Sequence, residues 1–176
     1  NALEVRLRTA GSGLPAVQWE VVEGADAARW QASYPAAAVK VLTPGCDLYQ
    51  VRTGAILYLD RTYGIARVPR HLRGLPGIRV SVDKSRAGTY TVEFELGEPA
   101  RAFAVFGQGD WAPAPKGWAR YAPGGFDVLG RAFDVYAKEY PAGRGSITVR
   151  RGAFAMVGFA KADVPLVTGL LRSLPD

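Results

Sequence analysis

Thr89-Tyr90-Thr91-Val92-Glu93-Phe94-Glu95-Leu96 sets apolar side chains at 90, 92, 94 and 96 against polar ones at 91, 93 and 95. A period of two is the spacing of a strand that buries one face and wets the other. Upstream, Ile78, Val80 and Val82 alternate in the same way with Arg79, Ser81 and Asp83, and Lys84-Ser85-Arg86-Ala87-Gly88 between the two runs reads as a turn. Together they predict a hairpin from Ile78 to Leu96. Downstream, Phe133, Val135 and Ala137 alternate with Asp134, Tyr136 and Lys138, and Pro141-Ala142-Gly143 breaks that run before Ser146–Arg150 begins another.

Further strands are expected at 3–9, 17–22, 37–42, 47–52, 55–59, 101–106 and 154–161. About ten short strands at this rhythm predict an all-β chain, an antiparallel, jelly-roll-like β-sandwich rather than alternating strand and helix units. One short C-terminal helix is expected, with Asp163 as its cap, Pro165 in its first turn and Leu166, Val167, Leu170 and Leu171 as its apolar stripe. The segment Gly107–Gly125, rich in glycine and proline, reads as a long ordered loop. The length of 176 residues, 48% of them hydrophobic, suits a single domain over 1–176, with Asn1-Ala2 read as a tag remnant.

The chain carries one cysteine, Cys46, and one histidine, His71, so an internal disulfide is excluded and a Ser-His-Asp or Cys-His relay has a single candidate base. His71 sits in Pro69-Arg70-His71-Leu72-Arg73, a basic stretch expected to be exposed, with no orienting carboxylate nearby in sequence. Zinc, calcium and phosphate-loop signatures are absent from the sequence, so no metal or other cofactor is implied. Lys and Arg outnumber Asp and Glu 22 to 16, a net charge of +6 that favours encounter with polyanions. The positive residues are scattered singly rather than gathered in a stripe, which argues against nucleic acid as partner. No apolar run is long enough for a membrane span.

Several short motifs in order carry a resemblance: Leu57-Tyr58-Leu59-Asp60-Arg61-Thr62-Tyr63 and Val68-Pro69, then Leu75 to Arg79, Glu93-Phe94-Glu95-Leu96, Ala104-Val105-Phe106, Pro115-Lys116-Gly117-Trp118, and Phe133 through Gly143. Residues 54–161 thereby resemble a β-sandwich accessory module of bacterial secreted glycoside hydrolases and polysaccharide lyases. The resemblance implies a non-catalytic domain, secreted or in the periplasm or cell envelope, that accompanies neighbouring domains and binds carbohydrate or the cell surface weakly. The amino-terminal residues fall outside it, either as added strands or as the edge of a preceding domain.

Glycan recognition on a β surface uses aromatic faces that stack on sugar rings, framed by groups that bond hydroxyls or carboxylates. Trp111, Trp118 and Tyr121, with Lys116 and Arg120 beside them, are the candidate binding residues for a glycan, an acidic one included. Against this stands their use as a plug at one end of the core, a role for which Trp118 is the first choice. Asp60 and Arg61, adjacent in sequence, are expected on opposite faces of a strand, with Arg79 pairing Asp60 across strands. Two other functions are open to the same sequence: a structural or protein-interaction domain without a glycan ligand, and a small lyase or hydrolase built on paired carboxylates.

Overall fold

A computed structural model describes residues 33–107 and 111–162, with residues 3–9, 17–23 and 122–124 described by backbone alone. The chain divides into two compact units, Asn1–Ala32 and Ser33–Asp176. The described part of the first is an antiparallel pair, β1 (Leu3–Thr9) and β2 (Val17–Glu23), in register from Leu3↔Glu23 to Thr9↔Val17.

The second unit is an antiparallel sandwich. Its three-stranded sheet runs β11 (Gly143–Arg150), β7 (Thr89–Leu96), β3 (Val39–Val41). Its seven-stranded sheet runs β4 (Asp47–Gln50), β6 (Pro76–Arg79), β12 (Ala155–Lys161), β8 (Ala100–Val105), β10 (Arg131–Tyr140), β9 (Ala119–Val128), β5 (Ile65–Arg67). Strands β3 and β4 therefore add residues upstream of 54 to the sandwich.

The alternation that predicted β7 holds: Val92, Phe94 and Leu96 are buried while Thr91, Glu93 and Glu95 are exposed. Phe94 meets Phe159 of β12 at 5.0 Å between ring centroids, which fixes the face where the two sheets touch. Phe159 stands in register with Ala102, and the small side chains of Ala100, Ala102 and Ala104 leave room for these rings. The opposite face of β8 and β12 is also covered. There Phe103 pairs with Gly158, whose missing Cβ admits the Leu75 side chain; a Cβ would stand 2.8 Å from Leu75 Cδ1. Burial on both faces explains why β8 from Ala102 to Val105 and β12 from Ala155 to Ala160 show apolar runs instead of alternation.

Several sequence expectations are corrected. Residues 78–96 do not form a hairpin: β6 and β7 belong to different sheets, and the connection is a helix, α1 (Val82–Ala87). Its spacing buries Val82 and Ser85, three residues apart, and its N-terminus is capped twice. Ser81 Oγ accepts from the Lys84 N–H at 3.2 Å, while the Asp60 carboxylate accepts from the N–H groups of Val82 at 2.9 Å and Asp83 at 3.0 Å and from the Ser81 hydroxyl at 2.6 Å. Asp60 is thus occupied by the helix, and Arg79 instead makes a two-pronged pair with Asp47 at 2.7 and 2.8 Å. Residues 55–59 form isolated bridges at Ile56 and Tyr58 rather than a strand. Arg61 accordingly is not held opposite Asp60: its guanidinium donates to the Asp60 carbonyl at 2.6 Å and pairs with Asp83. Finally, the expected loop 107–125 yields part of its length to β9, where β9 bulges against β10 between Ala122 and Phe126 to accommodate Pro123 and its glycines. The expected C-terminal helix lies outside the described residues.

Burial raises the Asp60 pKa, but hydrogen bonds from Ser81, Asp83 and Val82 outweigh it and hold the carboxyl at about 2, below its ordinary 3.8. A depressed folded-state pKa contributes stability that is present above pH 3.8 and is lost as pH falls toward 2. Asp60→Ala should lower unfolding free energy by about 1–2 kcal/mol at pH 7, the usual worth of a helix cap. In urea titrations the difference from wild type should narrow in acid; equal midpoints at pH 7 would show that the cap is dispensable.

Candidate functional site

Five side chains carried the sequence expectation of a ligand platform, and the structure separates them. Trp111 forms a backbone bridge with Ala153, and its ring lies against Phe133 with centroids 4.3 Å apart, with Tyr58 at 6.3 Å on a steeper angle. Gly107 permits this approach, because a Cβ there would fall 3.0 Å from Trp111 Cβ and 3.4 Å from the Phe133 ring. Trp118 packs edge-on to Phe106 and Tyr140 at one margin of the core. Lys116 is exposed on the turn closed by the Trp118 N–H to the Pro115 carbonyl. Arg120 is exposed and its Nε lies 2.6 Å from the Asp134 carboxylate. Tyr121 is withdrawn from the group: alternation along β9 turns it inward, where its hydroxyl meets that of Tyr34 at 2.7 Å. It is a core residue and offers no stacking face.

Beside Trp111 and Phe133 lies an open groove of about 640 Å³. It is lined by Phe106 and Gly107, just after β8, by Pro113 and Ala114, and by the start of β10, which supplies Arg131, Phe133, Asp134 and Tyr136. Both faces of β10 contribute, since Arg131 and Phe133 alternate along the strand with Asp134 and Tyr136. Arg131 is placed by the β9–β10 turn, where Leu129 and Gly130 both have positive φ (54° and 74°). Arg120 neutralises Asp134, and this pair raises the Arg120 pKa. Arg131, exposed at the rim, has no carboxylate partner among the described residues. Sequence reading passed over Arg131 and Tyr136; their signal was sequence proximity to Phe133 on a strand, which becomes a site only when Trp111 is folded back upon it. Among the described residues no cluster of three His, Cys, Asp or Glu side chains is placed to hold a metal ion, and no helix is long and apolar enough to cross a membrane.

The fold recurs in glycoside hydrolases. Over 78% of this chain it is similar to a GH138 enzyme targeting pectin rhamnogalacturonan II, with a TM-score of 0.68 and 22% identity. Over 88% of this chain it is similar to a beta-glucuronidase from glycoside hydrolase family 2, with a TM-score of 0.53 and 16% identity. The chain spans 17% and 16% of those proteins' lengths. At these identities the likeness is one of fold. No protein-family model and no curated protein matches the sequence.

His71 is not exposed with its basic neighbours. Arg70 and Arg73 face solvent, while the imidazole turns inward between Tyr34 and Tyr121, at ring distances of 5.1 and 5.3 Å, with Nε2 buried and without a hydrogen-bond partner among the described residues. Burial lowers its pKa to about 4. An unfolded chain, titrating near 6.5, binds the proton first, so stability falls as pH drops from 6.5 toward 4. The effect should be on the order of 1–2 kcal/mol after allowance for partial solvent contact. Comparing urea midpoints at pH 7 and 4.5 checks this, and His71→Phe should flatten that part of the profile; an unchanged slope in the variant would assign it to other groups.

Proposed function

We propose that this chain is a non-catalytic accessory module of a carbohydrate-active protein of the cell exterior or envelope, and that the groove beside Trp111 is its carbohydrate-binding surface. The observation that carries the reading is the recurrence of the same fold as about one sixth of two much longer glycoside hydrolase chains. A domain of that share accompanies a catalytic body, and weak retention on polymer suffices for it, because tethering raises the effective concentration of the attached catalyst at its substrate. The groove supplies what such retention needs: aromatic surface at Phe133 and Tyr136, with Trp111 backing Phe133 from beside it, and charged groups at its rim. The chain's one histidine supports a non-catalytic reading, since its imidazole is enclosed by tyrosine rings and its proton affinity is pushed far below neutrality.

A structural role is the second reading. Leu48 on the edge strand β4 and Leu129 at a hairpin tip are large apolar residues left exposed, as expected where a neighbouring domain packs. Affinity electrophoresis of the chain through gels containing a panel of plant and bacterial polysaccharides separates the two. Retardation by at least one polysaccharide is expected, and Tyr136→Ala, at a lining position, should weaken it about tenfold, the worth of one well-used aromatic contact. Free migration through every gel would leave the structural reading standing and remove the carbohydrate one.

A further inference from the structure

We infer that the groove beside Trp111 selects an acidic sugar, a uronate unit whose carboxylate is held by Arg131. The inference rests on the carbohydrate reading above and specifies the ligand class. Its basis is the charge inventory of the groove. Asp134 is the carboxylate among the lining residues, and the Arg120 guanidinium, with Nε at 2.6 Å, already answers it. That leaves the Arg131 guanidinium as surplus positive charge, exposed at the rim and without a carboxylate partner among the described residues.

A guanidinium presents a planar fork of N–H donors that matches the two oxygens of a carboxylate. A neutral sugar would strip water from Arg131 and return only hydroxyl contacts, whereas a uronate returns a charge-assisted pair. The remaining surface suits the rest of such a unit. Phe133 and Tyr136 follow Arg131 on the same strand, and Pro113 and Ala114 add apolar lining, so an apolar sugar face meets carbon while the carboxylate meets nitrogen. The volume of about 640 Å³ lies within the range of natural small-ligand sites, about 300–1,000 Å³. The chain's net charge of +6 brings any polyanion near, but it does not distinguish one arginine from another.

The test follows from that distinction. Binding of the intact chain to polygalacturonate and to its methyl-esterified form, two polymers of one backbone that differ in free carboxylate, is measured by calorimetry at about 0.15 M salt, where long-range attraction is screened. Two variants with the same change in net charge are compared: Arg131→Gln in the groove, and Arg144→Gln on the outer face of the three-stranded sheet. Both substitutions are at exposed positions, and matching thermal unfolding curves check that each variant folds. Wild type should prefer the acidic polymer, Arg131→Gln should weaken that binding about tenfold or more while leaving the ester unaffected, and Arg144→Gln should resemble wild type. Equal loss in both variants would reduce the preference to general charge attraction and overturn the inference. Binding of the ester as tightly as the acid would overturn it while the carbohydrate reading stands. Binding of neither polymer overturns the uronate assignment, and the polysaccharide panel then decides the broader reading by itself.

Discussion

The centre of the seven-stranded sheet has no wet side. Strands β8 and β12 are buried on both faces, with Ala102, Ala104 and Phe159 toward the three-stranded sheet and Phe103, Gly158 and Leu75 on the reverse. A two-layer sandwich supplies one covering, so the second must come from elsewhere. It comes from the segments around Tyr34 and residues 51–75, whose side chains Val51, Leu57, Tyr58, Leu72 and Leu75 are buried without belonging to a regular strand. The turn of 3-10 helix at Arg70–Leu72 is part of this covering, which is why Leu72 is buried and why the histidine beside it is drawn inward. The Asp60 cap sits at its other margin and ties the irregular layer to α1 through the hydrogen bonds of Val82 and Asp83.

This second covering marks the boundary of what the sequence discloses. Where one face is wet, as in β7, alternation names both the strand and its buried residues. Where both faces are dry, as in β12, the run from Ala155 to Ala160 is still recognisable by its continuous apolar character. The irregular layer has neither period, so Leu57 and Tyr58 resemble a strand without forming one, and His71 resembles a surface residue because its sequence neighbours are arginines. The run Ile78 to Val82 misleads for another reason: Val82 continues a period of two by coincidence, while its partner in burial is Ser85, which only a helix places beside it. Nothing local to that run reveals the deciding group, Asp60, which lies 22 residues before Val82.

The groove shows the same division. Its neighbourhood was legible in Trp111, because a tryptophan among glycines and prolines must be packed by something or displayed, and here it is packed on Phe133. Its charged component was not, because the roles of the arginines depend on strand facing and register. Arg120 and Tyr121 are adjacent in sequence and part company in space, one to an ion pair outside and the other to a hydroxyl pair inside. Arg131 acquires its position from the tight turn that sets it opposite Val128, before the register of that hairpin shifts beyond Phe133.

The hairpin tip has a kinetic and entropic consequence. Leu129 and Gly130 both occupy the left-handed region, and two successive residues there leave the backbone a narrow choice of paths. Arg131 therefore projects from a short, stiff arm, and when it is immobilised by a contact the freedom lost is that of its own side chain, with little main-chain ordering to add.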